Sequence, residues 1–262
     1  MKHFILLKLI LLSSTASFAV MSGRPADATL SAATVTFNIK NGSRNCTGVV
    51  VHPHLILTAG HCTQEADQNA SMEFTNDVSG GHKHSVRVKW KTAPGYKDSD
   101  TKEPGDIQKD FAYIITSADL VKELNLDPGQ IPKVAGSDQE MKAALAAANN
   151  QAVGYGFGIY DSRGHAGLKK EVQVTVSLFE DLHVLKATSL ESGVGVCPGD
   201  SGGGIFVRAE NGRPLLLGNL SGIVANKGCG TAESYGAYSY VQNQVCWAQK
   251  SSGIDLGVAC AN

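Results

Sequence analysis

Cys197-Pro198-Gly199-Asp200-Ser201-Gly202-Gly203 is the stretch on which the reading of this chain turns. A serine hydroxyl is a weak nucleophile. It needs a base to take its proton and N–H donors to hold a developing oxyanion. Glycines on both sides let a substrate approach the backbone and let amides turn into a concavity. Taken alone, such a run is equally well a polar glycine turn. A second informative stretch lies upstream, Leu55-Ile56-Leu57-Thr58-Ala59-Gly60-His61-Cys62, where an apolar strand ends in small residues and a histidine beside a cysteine. Small neighbours leave an imidazole room to swing toward a serine.

Order along the chain narrows the chemistry. All eight histidines, His3, His52, His54, His61, His82, His84, His165 and His183, precede Ser201. An α/β-hydrolase carries its histidine after the serine, so that class is excluded for this nucleophile. The subtilisin order needs an aspartate before the histidine, and only Asp27, in the N-terminal segment, precedes His61. The order His, Asp, Ser survives. With Thr58-Ala59-Gly60-His61-Cys62 against T-A-A-H-C, and residues 197–203 against C-x-G-D-S-G-G, the chain resembles the chymotrypsin/trypsin-like serine protease family. Weaker echoes cover most of the remaining chain: Cys46-Thr47-Gly48-Val49-Val50, Val153-Gly154-Tyr155-Gly156, Ser221-Gly222-Ile223-Val224 and Gly236-Ala237-Tyr238-Ser239-Tyr240-Val241.

The resemblance carries expectations. The family places an aspartate just before a short apolar strand, and Asp110-Phe111-Ala112-Tyr113-Ile114 fits. The rival, Asp106, is followed by Gln108 and Lys109, which suit a buried strand poorly. The implied triad is His61, Asp110 and Ser201, with the Gly199 and Ser201 N–H groups as oxyanion donors. The implied fold is all-β: two packed six-stranded antiparallel β-barrels with a C-terminal helix, and the site between the barrels. Disulfides Cys46–Cys62 and Cys197–Cys229 are implied, which leaves Cys246–Cys260. Val20-Met21-Ser22-Gly23-Arg24-Pro25-Ala26 is similar to the family's I-V-G-G-x-P-A amino terminus, which implies an ion pair between the Val20 α-amino group and Asp200. Gly195 stands at the base of the specificity pocket, where a trypsin carries Asp, so no strong preference for Arg or Lys is expected. Gly236 matches a glycine of the pocket wall. Ala225, Asn226 and Lys227 stand where the family's edge strand carries Ser, Trp and Gly. Lys227 is either a contact for acidic substrate groups or a solvated side chain.

Length and composition agree with this outline. The 262 residues allow one large all-β domain or two small ones, and 42% apolar with 18% charged residues is an ordinary globular balance. A formal charge of −1 offers no electrostatic reason for binding nucleic acid or anionic membrane. Residues 1–19 read as a signal peptide, with Lys2, an apolar run from Phe4 to Leu12 broken only by Lys8, and Ser17-Phe18-Ala19 before the cut. That run falls short of the ~20 apolar residues of a membrane span. Removing Lys2 and Lys8 leaves 21 basic against 24 acidic side chains, so residues 20–262 carry −3. An even set of six cysteines in an exported chain suggests disulfides, and without a C-x-x-C no zinc site is expected.

Strand-like runs rich in Val and Ile fall at 34–39, 48–51, 55–58, 85–90, 111–115, 151–155, 171–178, 183–187, 204–208, 215–219, 221–224 and 237–241. Helical signals cover 138–148 and 240–249. Many strands with few helices point to an antiparallel barrel or sandwich. The acidic stretch 65–77 leaves a calcium loop open, and glycosylation sequons occur at Asn41, Asn45, Asn69 and Asn219. His52 with His54 and His82 with His84 read as structural. The expectation is therefore a secreted, monomeric serine endopeptidase acting on proteins or peptides through an acyl-enzyme, with no cofactor or metal. The alternatives are a catalytically inactive homologue that only binds, or an esterase on the same scaffold.

Overall fold

The computed structural model describes residues 21–39, 45–63, 70–79, 81–97, 104–209, 212–224, 228–231 and 234–260. The expected signal peptide, Val20 and residues 225–227 lie outside them. After a short strand β1 (Arg24–Pro25), six strands form the first barrel: β2 (Thr34–Ile39), β3 (Asn45–His52), β4 (Leu55–Thr58), β5 (Ser71–Thr75), β6 (His84–Thr92) and β7 (Ala112–Thr116). Their order is β2-β3-β4-β7-β6-β5, closed by pairing of β5 with β2. β8 (Lys133–Val134) precedes the second barrel, made of β9 (Gln151–Gly156), β10 (Lys170–Phe179), β11 (Val184–Ser189), β12 (Gly204–Arg208), β13 (Pro214–Val224) and β14 (Tyr235–Tyr240). Its order is β10-β11-β14-β13-β12-β9, closed by β9 on β10, with β1 and β8 added at β10 and β13. The helices are α1 (Pro104–Lys109), α2 (Leu120–Glu123), α3 (Asp138–Ala147) and α4 (Val241–Ser252).

Two strand patterns show how sequence sets position. In β6, Val86, Val88 and Trp90 point inward while Arg87, Lys89 and Lys91 are exposed, the period-two alternation of a strand wet on one face. In β4, all four residues are buried. Ile56 belongs to the core of the first barrel, whereas Leu55 and Leu57 belong to the cluster that also holds the core of the second. β3 divides likewise, Val50 inward and Val49 and Val51 toward the seam. Strands buried on both faces read as continuous apolar runs, and these two run along the seam between barrels.

The fourth helix ties the seam shut. Trp247 packs on Tyr113 and Phe111 of the first barrel, with ring centroids 5.2 and 6.4 Å apart. The Ser251 hydroxyl lies 2.9 Å from that of Tyr113. Phe111 is fully buried, so its truncation to Ala would cost about 3–5 kcal/mol. Gly253 ends α4 in the left-handed region, φ 73°. All three disulfides form: Cys46–Cys62, Cys197–Cys229 and Cys246–Cys260.

Several elements differ from their sequence reading. Runs 215–219 and 221–224 are one strand, β13, with an irregular register between Leu220 and Gly222. Part of the acidic stretch 65–77 is strand β5, with Met72 and Phe74 buried, and 64–69 lie outside the described residues. Helices α1 and α2 were not anticipated. The second is capped by Asp119, whose carboxylate accepts the Val121 and Lys122 N–H groups. The Asn219 sequon is fully buried, its amide donating to the Gly202 carbonyl, so it offers no glycosylation acceptor in the folded chain.

Candidate active site

His61 leaves the end of β4 in a single 3-10 turn, Gly60–Cys62, locked by the disulfide to β3. Asp110 lies two residues before the start of β7, which pairs with β4, so the strand pairing itself brings carboxylate and imidazole together. Asp110 Oδ1 accepts the His61 backbone N–H at 2.9 Å, and Oδ2 lies 2.8 Å from His61 Nδ1. Asp110 is completely buried and His61 nearly so. The rival Asp106 stands on α1. A residue to which the sequence reading assigned no role completes the cluster: the Ser221 hydroxyl on β13 donates to Asp110 Oδ2 at 2.6 Å. Its sequence signals are its place at the head of the Ser221-Gly222-Ile223-Val224 echo and its polarity within the largely apolar β13.

Ser201 stands on the loop that leads into β12 of the second barrel. The loop that carries it is strapped to β3: Thr47 N–H donates to the Ser201 carbonyl at 2.8 Å, and the Thr47 hydroxyl donates to the Gly199 carbonyl at 2.9 Å. Cys62 Sγ lies 3.7 Å from the Ser201 carbonyl. Glycine is required at two points. Gly199 (φ 98°) passes so close to Gly158 that a Cβ would sit 2.8 Å from its Cα. At Gly202 (φ 80°) a Cβ would collide with the Thr58 hydroxyl and the Thr47 carbonyl.

The N–H groups of this loop divide into two sets. Those of Asp200, Gly202 and Gly203 donate to Cys197, Leu220 and Asp200 carbonyls. Those of Gly199 and Ser201 donate to no acceptor among the described residues.

Beneath the loop, Asp200 is buried, accepting N–H donors from Gly158 at 2.6 Å and Cys197 at 2.8 Å. Burial pushes its carboxyl up to about 7, the two N–H donors opposing the shift. No cation partners it among the described residues. Of the expected pocket residues, Gly195 and Gly236 line one small cavity with Val196, Ile223, Ser234 and Tyr238, and among the described residues no acidic side chain lines it. Ala225 and Lys227 fall outside the described residues. Cys46, His61 and Cys62 cluster closely, but both sulfurs are spent in a disulfide and cannot bind metal as thiolates. Among the described residues no helix is long and apolar enough to cross a membrane.

Two six-stranded antiparallel barrels, with an imidazole–carboxylate pair from one beside a glycine-framed serine from the other, define the chymotrypsin-like architecture. The chain belongs to the trypsin family, whose model matches residues 20–248. It is 27% identical over 235 residues to coagulation factor XII of Sus scrofa, 25% over 232 residues to that of Cavia porcellus and 27% over 226 residues to that of Bos taurus. These matches cover 78–80% of this chain but only 35–37% of the relatives' length, so the chain spans about a third of each.

Proposed function

We propose that this chain is a secreted serine endopeptidase whose triad is His61, Asp110 and Ser201. The observation that carries the reading is Asp110, fully buried and hydrogen-bonded to both the backbone and the ring of His61, while the Ser201 carbonyl lies 3.7 Å from Sγ of the next residue, Cys62. Ser201 attacks the scissile carbonyl while His61 Nε2 takes its proton and passes it to the leaving amine. Asp110 keeps the other ring proton on Nδ1 and stabilises the imidazolium. The unpartnered Gly199 and Ser201 N–H groups hold the oxyanion, each worth roughly 3 kcal/mol. Water then releases the acyl group by the same route. No cofactor enters any step.

Among the described residues no carboxylate lines the cavity at Gly195 and Gly236, which supports cleavage after residues other than Arg or Lys. Residues 1–19 act as the export signal. Its removal frees the Val20 amino group to pair with Asp200, and the family match beginning at residue 20 supports this start. The test is hydrolysis of labelled casein by secreted protein beside a Ser201→Ala variant. Wild-type cleavage with a loss of roughly 10⁶-fold in the variant is expected. Equal rates for the two would sink the proposal.

A further inference from the structure

The outer face of the second barrel carries a cleft that the site above does not use. Phe206 of β12 and Gln173 of β10 are both register partners of Val153, which sets the three side chains on one face. Alternation along β9 adds Gln151 and Tyr155 to that face. Leu30 and Leu190, from flanking loops, wall the cleft, whose volume is about 210 Å³. An apolar cavity of roughly 150 Å³ holds benzene, so this one suits a single ring or a short branched alkyl group with a small head group.

Two polar features there are unexplained by the fold. Tyr155 is only 4% exposed, packs on the Phe206 ring at 5.7 Å, and its hydroxyl has no hydrogen-bond partner among the described residues. An unmet buried hydroxyl costs about 1–3 kcal/mol. Among the described residues Arg208 is the one charged side chain that lines the cleft, is exposed, and has no ion pair. Tyr155 and Arg208 both line the cleft. Two carboxylates lie nearby, but Asp27 accepts the Thr29 and Leu30 N–H groups, Glu171 accepts that of Asp27, and neither lines the cleft. Burial, with those two charges, holds the Tyr155 phenol well above its ordinary range, so it remains a donor.

We propose that this cleft binds a small aromatic or branched-alkyl carboxylate, its apolar body on Phe206, Val153 and Leu190 and its carboxylate held by Arg208 and the Tyr155 hydroxyl. The test uses full-length protein carrying Ser201→Ala, titrated with phenylacetate and, as the uncharged isostere, phenylacetamide, followed by calorimetry and backbone amide NMR. Phenylacetate should saturate with a dissociation constant near or below about 1 mM, with shifts centred on β9, β10 and β12. Phenylacetamide should bind roughly tenfold more weakly. Arg208→Gln, at an exposed position, should remove that difference, and Tyr155→Phe should weaken both ligands. Equal affinity for acid and amide, shifts centred elsewhere, or no saturation by about 10 mM would overturn the assignment. Because the protein tested lacks the serine nucleophile, the result is independent of whether the chain is a peptidase.

Discussion

Replacing Asp110 with Asn should abolish turnover while leaving the fold intact. Three donors converge on the two carboxylate oxygens: His61 N–H on Oδ1 at 2.9 Å, and His61 Nδ1 and the Ser221 hydroxyl on Oδ2 at 2.8 and 2.6 Å. An amide supplies one oxygen and one NH₂ group in the same space. If its oxygen stays at the Oδ2 position, the NH₂ faces the His61 backbone N–H, donor against donor in a fully buried place. If the amide turns over, the NH₂ faces Nδ1. The ring then moves its own proton to Nε2, the nitrogen that must accept from Ser201. A backbone amide cannot change its proton but an imidazole can, so the second arrangement wins. The wrong tautomer lowers kcat roughly 10⁴-fold, about 5.5 kcal/mol of barrier. Steady-state hydrolysis of a peptide substrate measures the loss, and ¹⁵N shifts of His61 report the tautomer. Ser221→Ala removes the hydrogen bond to Asp110, about 1 kcal/mol, and should cost tenfold or less. A folded Asp110→Asn protein with kcat within about tenfold of the parent would refute the reasoning.

Three further outcomes follow from burial and backbone geometry. Asp200, raised from 3.8 to about 7 by burial, holds a proton in the folded chain that the unfolded chain releases between those values. Stability therefore falls as pH rises through that window, by up to about 4 kcal/mol. A free Val20 amino group would hold the carboxylate ionised and cancel the loss. A chain beginning at Met1 should thus show a falling Tm from about pH 4 to 7 and one beginning at Val20 should not; equal slopes would exclude the ion pair. Lys169 is 3% exposed, its ammonium on the Ser31 carbonyl and 5.4 Å from the centre of the Phe157 ring, and burial pulls its pKa down to about 7. The unfolded chain keeps that proton up to 10.5, so stability rises with pH from about 7 to 10.5. Lys169→Met should raise Tm at pH 6, with a smaller gain at pH 10; a variant less stable at pH 6 contradicts this. Gly202→Ala combines a positive φ with collisions at Thr58 and Thr47 and should cost roughly 3 kcal/mol or more, read by chemical denaturation. A variant as stable as the parent would show that the loop relaxes freely.

The sequence by itself marked most of the barrel strands and set the residues proposed for the site at strand ends and a glycine turn. Alternation in β6 and the doubly apolar β4 are local consequences of which faces meet water, and period alone reveals them. His61, Asp110 and Ser201 were legible because each sits at a strand end or glycine turn whose spelling is constrained over several neighbours. Strand β5 was obscured by the acidic residues around it, although Met72 and Phe74 carry its inward face. Tertiary structure alone decided what depends on distant segments packing together. Ser221 gains its role only because β13 crosses the carboxylate 111 residues upstream. The Asn219 sequon is hidden only because its amide meets Gly202. The uses of the loop N–H groups, two free and three satisfied, depend on where other carbonyls lie. Tyr155, an ordinary strand tyrosine in sequence, becomes an unpartnered donor only under the covering loops. Residue pattern encodes which side of an element is buried; which polar groups find partners there is set by the pairing of elements far apart in the chain.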